Sequence, residues 1–319
     1  HPITRRFRTD LSTLKYKRLN ERWYSDTLFS KVKSLQGYTC AQIFNSKSFV
    51  KIVPMKSEKE AGKSLKTFNE DVGVPNHITV DGAKAQVSPN TDFAKQCSFT
   101  NTHVHRIEPY TPNQNFAETV IGWMKKRWRN QKRKKDIPNR LWDYSLMYEA
   151  ELFNMIARGS DKRTGYERVT GDTPDISEYL DYEFYDWVYY WDMPGDIDNP
   201  KIGRWLGISH RVGSALCYWV LKDNGQVISR TTVQPIQYDD MHEPVTMQQL
   251  ERFQSKVHPI LCDENHIINN VQATFYLQDA YWYDEEAFEF IEPITPEIDE
   301  YEEETYDNLI GQELNLPSG

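Results

Sequence analysis

The order in which strand-like and helix-like segments follow one another is the feature that most constrains this fold. Three runs rich in β-branched and aromatic residues come first, WYSDTLFSKV, YTCAQIF and SFVKIVPM, with turn residues at Gly37 and at 45–47 between them. An amphipathic stretch, EKEAGKSLKTFNEDVG, predicts a helix that ends at Gly73. After it, NHITVDG and HVHRIE predict strands, TDFAKQCSF a short helix and TVIGWMKKRWRNQKRKK a long one. This order is typical of an α/β fold, a mixed sheet flanked by helices.

The pattern of residues along the chain changes near residue 183. A further long helix is predicted from Pro138 to Arg158, and beyond residue 183 short aromatic and β-branched runs alternate with Gly, Pro and Asn-Gly turns. Asp223-Asn224-Gly225 between two such runs is a strong hairpin signal, so we expect a small antiparallel β-barrel. The predicted organisation is a basic arm or linker (1–22), a core (23–160), a linker (161–182), the barrel (183–240), an extension (241–283) and an acidic tail that we expect to be disordered (284–319).

The distribution of charge is more informative than the net charge of −9. No lysine or arginine follows Lys256, whereas 16 acidic residues do, so residues 1–256 hold 38 basic and 31 acidic side chains. A basic body with an acidic tail predicts a nucleic-acid partner for the body.

Other sequence features exclude several classes of protein. No run of about 18 apolar residues and no signal peptide is visible, so no membrane partner is expected. The four cysteines form no CxxC pair, which argues against paired zinc ligands and a disulfide framework and fits a reducing compartment. Because the sequence starts at His1 rather than Met, we expect it to be cut from a longer chain.

Three acidic residues occupy positions suited to metal-dependent chemistry. Asp26 lies inside the first strand run, Asp81 ends the fourth strand, and Glu118 lies in the first turns of the long helix. Mg²⁺ prefers hard oxygen ligands, and two such ions about 3.5–4 Å apart can clamp the attacking and leaving oxygens of phosphoryl transfer. The alternative is that a chain with 47 acidic residues yields such a triplet without any function.

The helix after Glu118 favours the functional interpretation. At 100° per residue, Lys125, Arg129 and Lys132 fall on the face of Glu118 and predict contacts with DNA phosphates. Arg127 falls on the apolar side and is expected to end the buried part. The opposing apolar stripe consists of Ala117, Val120, Ile121, Met124 and Trp128.

Three segments together resemble the catalytic core of retroelement integrases: YSDTLFSKVKSLQGYTCAQIF, DVGVPNHITVDGA and PYTPNQNFAE. The similarity covers about residues 10–240 and is greatest to copia-type long-terminal-repeat retrotransposons, especially the diatom branch. It implies an RNase H-like five-stranded sheet and a metal-binding catalytic triad of Asp26, Asp81 and Glu118 with two Mg²⁺ (or Mn²⁺) ions. It also implies DNA contacts from Lys125 and, in the loop before the helix, from Tyr110, Gln114 and Asn115.

The resemblance has departures and extensions. The loop 110–115 is one residue shorter than the family pattern and lacks its glycine, and no HHCC zinc-ligand set is present. Residues 183–240 resemble the small SH3-like DNA-binding barrel of the family, and the acidic tail resembles the connector towards the reverse transcriptase in such polyproteins.

The sequence therefore predicts a Mg²⁺-dependent integrase that processes 3′ ends and joins element DNA to chromosomal DNA. The expected partners are double-stranded DNA, both element ends and target, and further copies of the chain as a homo-oligomer. The expected location is the nucleus, after a cytoplasmic particle. Two alternatives stay open: a catalytically silent or domesticated DNA-binding module, and a plain RNase H-like nuclease.

Several other side chains have simpler interpretations. His103 and His105 alternate with Val104, which is typical of an exposed edge or an ordinary strand face rather than of a metal site. The run 132–135 fits a nuclear localisation patch as well as a DNA contact. The aromatic residues near the barrel fit its core better than base stacking: Trp187, Tyr189, Tyr190, Trp191, Trp205 and Trp219.

Overall fold

The computed structural model describes residues 17–81, 86, 88–107, 116–158, 160–191, 199–210 and 216–268. Its first part is built around five strands: β1 (Arg18–Phe29), β2 (Cys40–Asn45), β3 (Val50–Met55), β4 (Val74–Val80) and β5 (His103–Arg106). They form one sheet in the order β3-β2-β1-β4-β5. β1, β2 and β3 pair antiparallel, whereas β4 is parallel to both β1 and β5. This mixed five-stranded sheet confirms the expected RNase H-like fold class.

Helices pack on both faces of this sheet: α1 (Ala61–Asp71), α2 (Asp92–Phe99), α3 (Phe116–Lys135) and α4 (Trp142–Met155). On one face, Trp23 and Ile78 pack in a cluster with Phe68 of α1 and Phe93 of α2. On the other face, apolar residues of β1, β2 and β3 form a cluster with α3 and α4. Burying one large apolar side chain stabilises the fold by about 1.5–3 kcal/mol, so the two clusters fix the sheet between its helices.

The apolar stripe predicted for α3 is confirmed. Ala117, Val120, Met124 and Trp128 are buried, and Ile121 is partly buried against the same cluster. α3 packs on β1 and β2, which places its N-terminal turns beside the strand that contains Asp26.

Two boundaries differ from the predictions for physical reasons. β1 begins at Arg18, inside the stretch predicted as an arm, because Arg18 pairs with Val74 and its guanidinium donates to the side chain of Asn76. The helix predicted to reach Arg158 ends at Met155, because Ile156 is extended and the next two residues pair as a strand.

Short elements connect the first sheet to the second. β6 (Ala157–Arg158) pairs with β7 (Arg163–Thr164), and α5 (Gly165–Thr170) and α6 (Ser177–Asp181) follow within the stretch predicted as a linker. Thr164 begins α5 with a capping box. Its hydroxyl accepts from the Glu167 N–H at 3.0 Å, and its own N–H donates to the Glu167 carboxylate at 2.7 Å.

Five further strands follow in the described residues: β8 (Trp187–Tyr190), β9 (Lys201–Ile208), β10 (Tyr218–Leu221), β11 (Val227–Arg230) and β12 (Val233–Pro235). They form a second, antiparallel sheet in the order β11-β10-β9-β8-β12. Its last strand returns beside its first, which is the strand order of the predicted SH3-like barrel. The hairpin predicted at Asp223-Asn224-Gly225 is confirmed: Gly225 has φ +78°, a left-handed conformation that favours glycine.

The C-terminal helices, α7 (Tyr238–Met241) and α8 (Pro244–Cys262), follow this sheet. Phe253 of α8 packs edge-on against Trp187, with ring centroids 5.2 Å apart. The buried guanidinium of Arg140 ties the end of α8 to the first sheet, because it donates to main-chain carbonyls of both parts: those of Lys33, Ser34, Ile260, Asp263 and His266. Within the described residues, no helix combines the length and hydropathy needed to cross a membrane. The predicted acidic tail lies outside the described residues.

Candidate active site

The strand register places Asp26 and Asp81 side by side. Ser25 of β1 pairs with Val80 of β4, so the next residue on each parallel strand is an aspartate. Adjacent strands lie about 4.8 Å apart, and paired residues point to the same face of the sheet. Asp81 also follows the C-terminal end of β4, where open sheets commonly present functional groups.

Glu118 reaches the same region from α3. It is the third residue of the helix, and the Phe116 ring at the helix start packs on Tyr24 with centroids 5.9 Å apart. Tyr24 precedes Asp26 by two residues and therefore points to the same face of the sheet. Burial and then the nearby Asp81 carboxylate raise the pKa of Glu118. The third acid thus lies within electrostatic reach of the second.

Asp26 is the acid that interacts with both others. Its pKa is raised to about 6, chiefly by burial and then by Asp81 and Glu118. The Thr27 N–H donates to the Asp26 Oδ1 at 2.7 Å and, with Lys125, opposes this rise. The raised pKa values of Asp26 and Glu118 show that this site favours a proton or a cation.

Lys125 lies beside this cluster as well. Burial and the neighbouring Arg129 lower its pKa, while Asp26 raises it. Lys125, Arg129 and Lys132 are all half-buried. The predicted loop contacts, Tyr110, Gln114 and Asn115, lie outside the described residues.

A buried polar network supports β1 behind Asp26, and the sequence analysis missed it. The Thr27 hydroxyl donates to the Gln42 side-chain carbonyl at 3.0 Å, and the Gln42 amide donates to the Ser25 hydroxyl at 2.7 Å. Ser25 and Gln42 are fully buried. Polar residues inside apolar strand runs, in the S-D-T of β1 and the A-Q-I of β2, are the sequence feature that could have predicted this network. A satisfied buried network of this kind makes the strand position rigid.

The donor chemistry of the three acids fits a hard divalent cation. Carboxylate oxygens are the ligands that Mg²⁺ prefers. The pKa values of Asp26 and Glu118 are raised first by burial and then by neighbouring carboxylates, whose charge a cation would offset. Across the part of the chain that the structure describes, no three His, Cys, Asp or Glu side chains form a ready-made metal site. The three acids therefore suit a divalent cation by the type of their donor atoms and by their proximity to one another.

The basic run of α3 is only partly directed at this site, and the expectation for Arg127 was wrong. Arg127 does not end the buried part of the helix: its Nε donates to the buried Glu149 carboxylate of α4 at 2.8 Å, and Trp128 after it is buried. Lys134 contacts Glu183 at 2.9 Å, and Lys135 contacts Glu183 at 3.0 Å and also Asp186. Acids from other elements pair with these cations, although none interrupts the run in sequence.

No protein-family model matches this chain, and no curated protein matches it. Among solved structures, a simian T-cell lymphotropic virus intasome in complex with the PP2A regulatory subunit B56 gamma is 17% identical, covering 68% of this chain and 78% of that chain, with a TM-score of 0.41. The HTLV-2 integrase catalytic core domain in complex with magnesium is 18% identical over 47% of this chain and 96% of that chain, with a TM-score of 0.37. The BIV integrase catalytic core domain is 14% identical over 52% and 100%, with a TM-score of 0.38. At these values the similarity assigns no activity to this chain.

Proposed function

We propose that this chain is a divalent-metal-dependent polynucleotidyl transferase of the integrase type. The observation that carries the proposal is the electrostatic coupling of Asp26 to both Asp81 and Glu118, three acids supplied by β1, the end of β4 and the start of α3. The residues lie far apart in sequence, and the fold brings them to one face of the sheet.

The acids would divide the metal-binding task according to their neighbours. Asp26 interacts with both other acids, so it would be shared between two cations, with Asp81 completing one site and Glu118 the other. When bound, two Mg²⁺ ions activate the attacking oxygen and stabilise the leaving oxygen of an in-line displacement. The raised pKa of Asp26 means that binding a cation near neutral pH displaces little more than a residual proton.

The reaction would proceed in two displacements without a covalent intermediate on the protein. A water would first attack the phosphodiester near the 3′ end of element DNA, releasing the terminal nucleotides and leaving a 3′-hydroxyl on the element. That hydroxyl would then attack a phosphodiester of target DNA, joining to the target 5′-phosphate and releasing the target 3′-hydroxyl. Lys125, which faces Asp26, would contact a phosphate beside the reacting one and hold the strand in line.

The wider assignment also belongs to the proposal. We place the chain in a copia-type retrotransposon, acting as a homo-oligomer on element ends and chromosomal DNA in the nucleus. Mn²⁺ would substitute for Mg²⁺. The contacts of Lys134 and Lys135 with acids favour a structural role for the end of the run 132–135 over a nuclear localisation patch.

The test is a joining assay with a labelled blunt duplex and a plasmid target in Mg²⁺. Asp26→Asn, Asp81→Asn and Glu118→Gln keep the side-chain shapes and remove one ligand charge each. Joined product should fall at least about a thousandfold in each variant, while DNA binding persists. Glu70→Gln, an exposed acid on α1 across the sheet, is the matched control and should join normally.

The same assay separates the alternatives by product. Cleaved duplex without joined strands would identify a plain nuclease. Binding with neither product would identify a silent DNA-binding module. Near-normal joining by Asp81→Asn would overturn the assignment of the acids.

A further inference from the structure

The sheet face that presents Asp26 and Asp81 continues beyond them towards β5. Two residues earlier on the strands, Tyr24 pairs with Thr79 and Thr79 with His105. Two residues earlier again, Arg22 pairs with His77 and His77 with His103. Because side chains two apart on a strand share a face, all three rows point to the same side.

The outermost of these rows, which we call the basic row, consists of Arg22, His77 and His103. All three side chains are exposed, whereas Trp23 and Ile78 on the opposite face are fully buried. Arg22, His77 and His103 thus form an exposed margin of this face. In the row between them and the carboxylates, Thr79 is buried and His105 is exposed.

The two imidazoles of the basic row form a flat platform beside the guanidinium. The rings of His77 and His103 stack with centroids 5.3 Å apart and planes at 22°. In the described residues they belong to no group of three metal-ligating side chains. Stacked imidazoles beside an arginine offer several N–H donors and a cation, which suit an anionic partner.

We propose that the basic row is a second DNA-contact site, at which Arg22 and the paired imidazoles bind backbone phosphates of the strand that enters the carboxylate site. The inference rests on the proposed function. Arg22 lies four residues before Asp26 on β1, about 13 Å away at 3.3 Å per residue. Duplex DNA advances 3.4 Å per nucleotide along each strand. The contacted phosphate therefore lies about four nucleotides from the reacting one.

The charge pattern favours a phosphate backbone over a protein partner. The row offers donors and a cation but no large apolar anchor, and buried aromatic or aliphatic anchors dominate stable protein interfaces. Arginine binds phosphate with two parallel N–H···O bonds, which positions a strand without reading its bases. The row would thus set the register of the DNA relative to Asp26 and Asp81.

A salt titration of DNA binding by the full chain tests this inference without any need for catalysis. The variants are Arg22→Ala and the double variant His77→Ala/His103→Ala, at exposed positions. Lys66→Ala, an exposed lysine on α1 at the other face of the sheet, is the matched control. Arg22→Ala should flatten the slope of log affinity against log salt by about 0.9, and the control should not change it. An unchanged slope in both row variants would overturn the inference, as would a change in self-association with normal DNA binding.

A second measurement locates the contact. A single neutral methylphosphonate is placed at each position from two to six nucleotides from the phosphodiester that the protein cuts. Near the fourth position it should weaken binding by the wild type but add nothing to Arg22→Ala, because the two changes remove one contact. Equal additional weakening at every position would refute the placement. If the wild type joins no strands but the row variants still flatten the salt slope, the result counts against the proposed function alone. If the wild type joins strands normally and the row variants leave the slope unchanged, the result counts against the basic row alone.

Discussion

The N-terminal half and the last turn of α3 hold charged residues in different surroundings. Glu118, in the first turn, interacts with Asp81, and Lys125, seven residues later, interacts with Asp26. Both charges therefore belong to the carboxylate cluster. At its end, Lys134 and Lys135 contact Glu183 and Asp186 just before the second sheet. The start of the helix serves the candidate chemistry, and the end joins two parts of the fold.

This difference shows that a run of like charges does not define one surface. Eight lysines and arginines lie between Lys125 and Lys135, yet their neighbours in space divide them into separate groups. Lys125 lies near Asp26, an acid that would bind a metal ion, whereas Lys135 contacts Glu183 and Asp186. At the C-terminal end of α3, a DNA phosphate must compete with acids that already contact Lys134 and Lys135. Beside Lys125, a bound metal ion would offset the charge of the nearby acids instead. We therefore expect mutations along the helix to have effects of different kinds.

The largest effect should come from the middle of α3, where Arg127 pairs with Glu149. The Glu149 side chain is only 1% exposed, and burial raises its pKa while Arg127 lowers it. Arg127→Met should leave a buried carboxylate without its cation and lower the free energy of unfolding by about 3 kcal/mol at pH 7. Urea unfolding measures this loss, and Lys126→Met, at the exposed neighbouring position, is the control.

The double variant Arg127→Met/Glu149→Gln sharpens that result. With the buried charge gone, most of the lost stability should return, because the penalty arises from the unpaired carboxylate. A single variant as stable as the wild type would show that water already solvates Glu149 and that the middle of the helix is an ordinary surface.

The next effect concerns the pH dependence that Asp26 imposes. Its folded pKa of about 6 lies above its ordinary value of 3.8, so the folded state binds the proton more tightly. In metal-free buffer, stability should therefore fall as pH rises from about 4 to about 6. The full shift corresponds to roughly 3 kcal/mol, which partial exposure reduces to about 2 kcal/mol. Burial of Asp143 raises its pKa to about 7 and has the same sign, so only a difference between variants isolates Asp26.

Asp26→Asn provides that difference. At pH 7 the variant should be more stable than the wild type by about 2 kcal/mol, and at pH 4 the two should be equal. Mg²⁺ should raise the thermal midpoint of the wild type, because the bound cation offsets the charge of Asp26. It should not raise that of the variant, which lacks this charge. Parallel pH profiles for the two proteins would contradict the electrostatic cluster itself.

The sequence predicted the order of elements and the stripe of α3 because both depend on local periodicity. Runs rich in β-branched and aromatic residues identified the strands of the first sheet, the 3.6-residue pattern identified its helices, and Asn224-Gly225 identified the hairpin of the second sheet. The pairing of Asp26 with Asp81 is different, since it depends on the register of β1 against β4. A slip of one residue would turn Asp26 to the opposite face, and no local pattern fixes that register.

The partners of the basic run could not be read from the sequence for a related reason. Glu149, Glu183 and Asp186 lie on later elements, and only the packing of those elements brings them to α3. The basic row was also hidden, because His103 and His105 indicated an exposed edge but gave no hint that His77 and Arg22 would align with them. Tertiary neighbours, rather than composition, decide which charges can meet a ligand.

The smallest effect should separate the two ends of α3 charge by charge. Lys125→Ala should flatten the salt slope of DNA binding by about 0.9 and reduce joining, because it removes one phosphate contact beside the carboxylates. Lys135→Ala should leave the slope unchanged and lower the free energy of unfolding by about 0.5–1 kcal/mol, the range of a partly exposed ion pair. Both substitutions suit a helix, so folding should persist. The measurements are a salt titration with a blunt duplex and urea unfolding of the same samples. If Lys135→Ala flattens the slope as much as Lys125→Ala, the acids beside Lys135 do not prevent it from binding DNA. Lys125 and Lys135 would then belong to one binding surface.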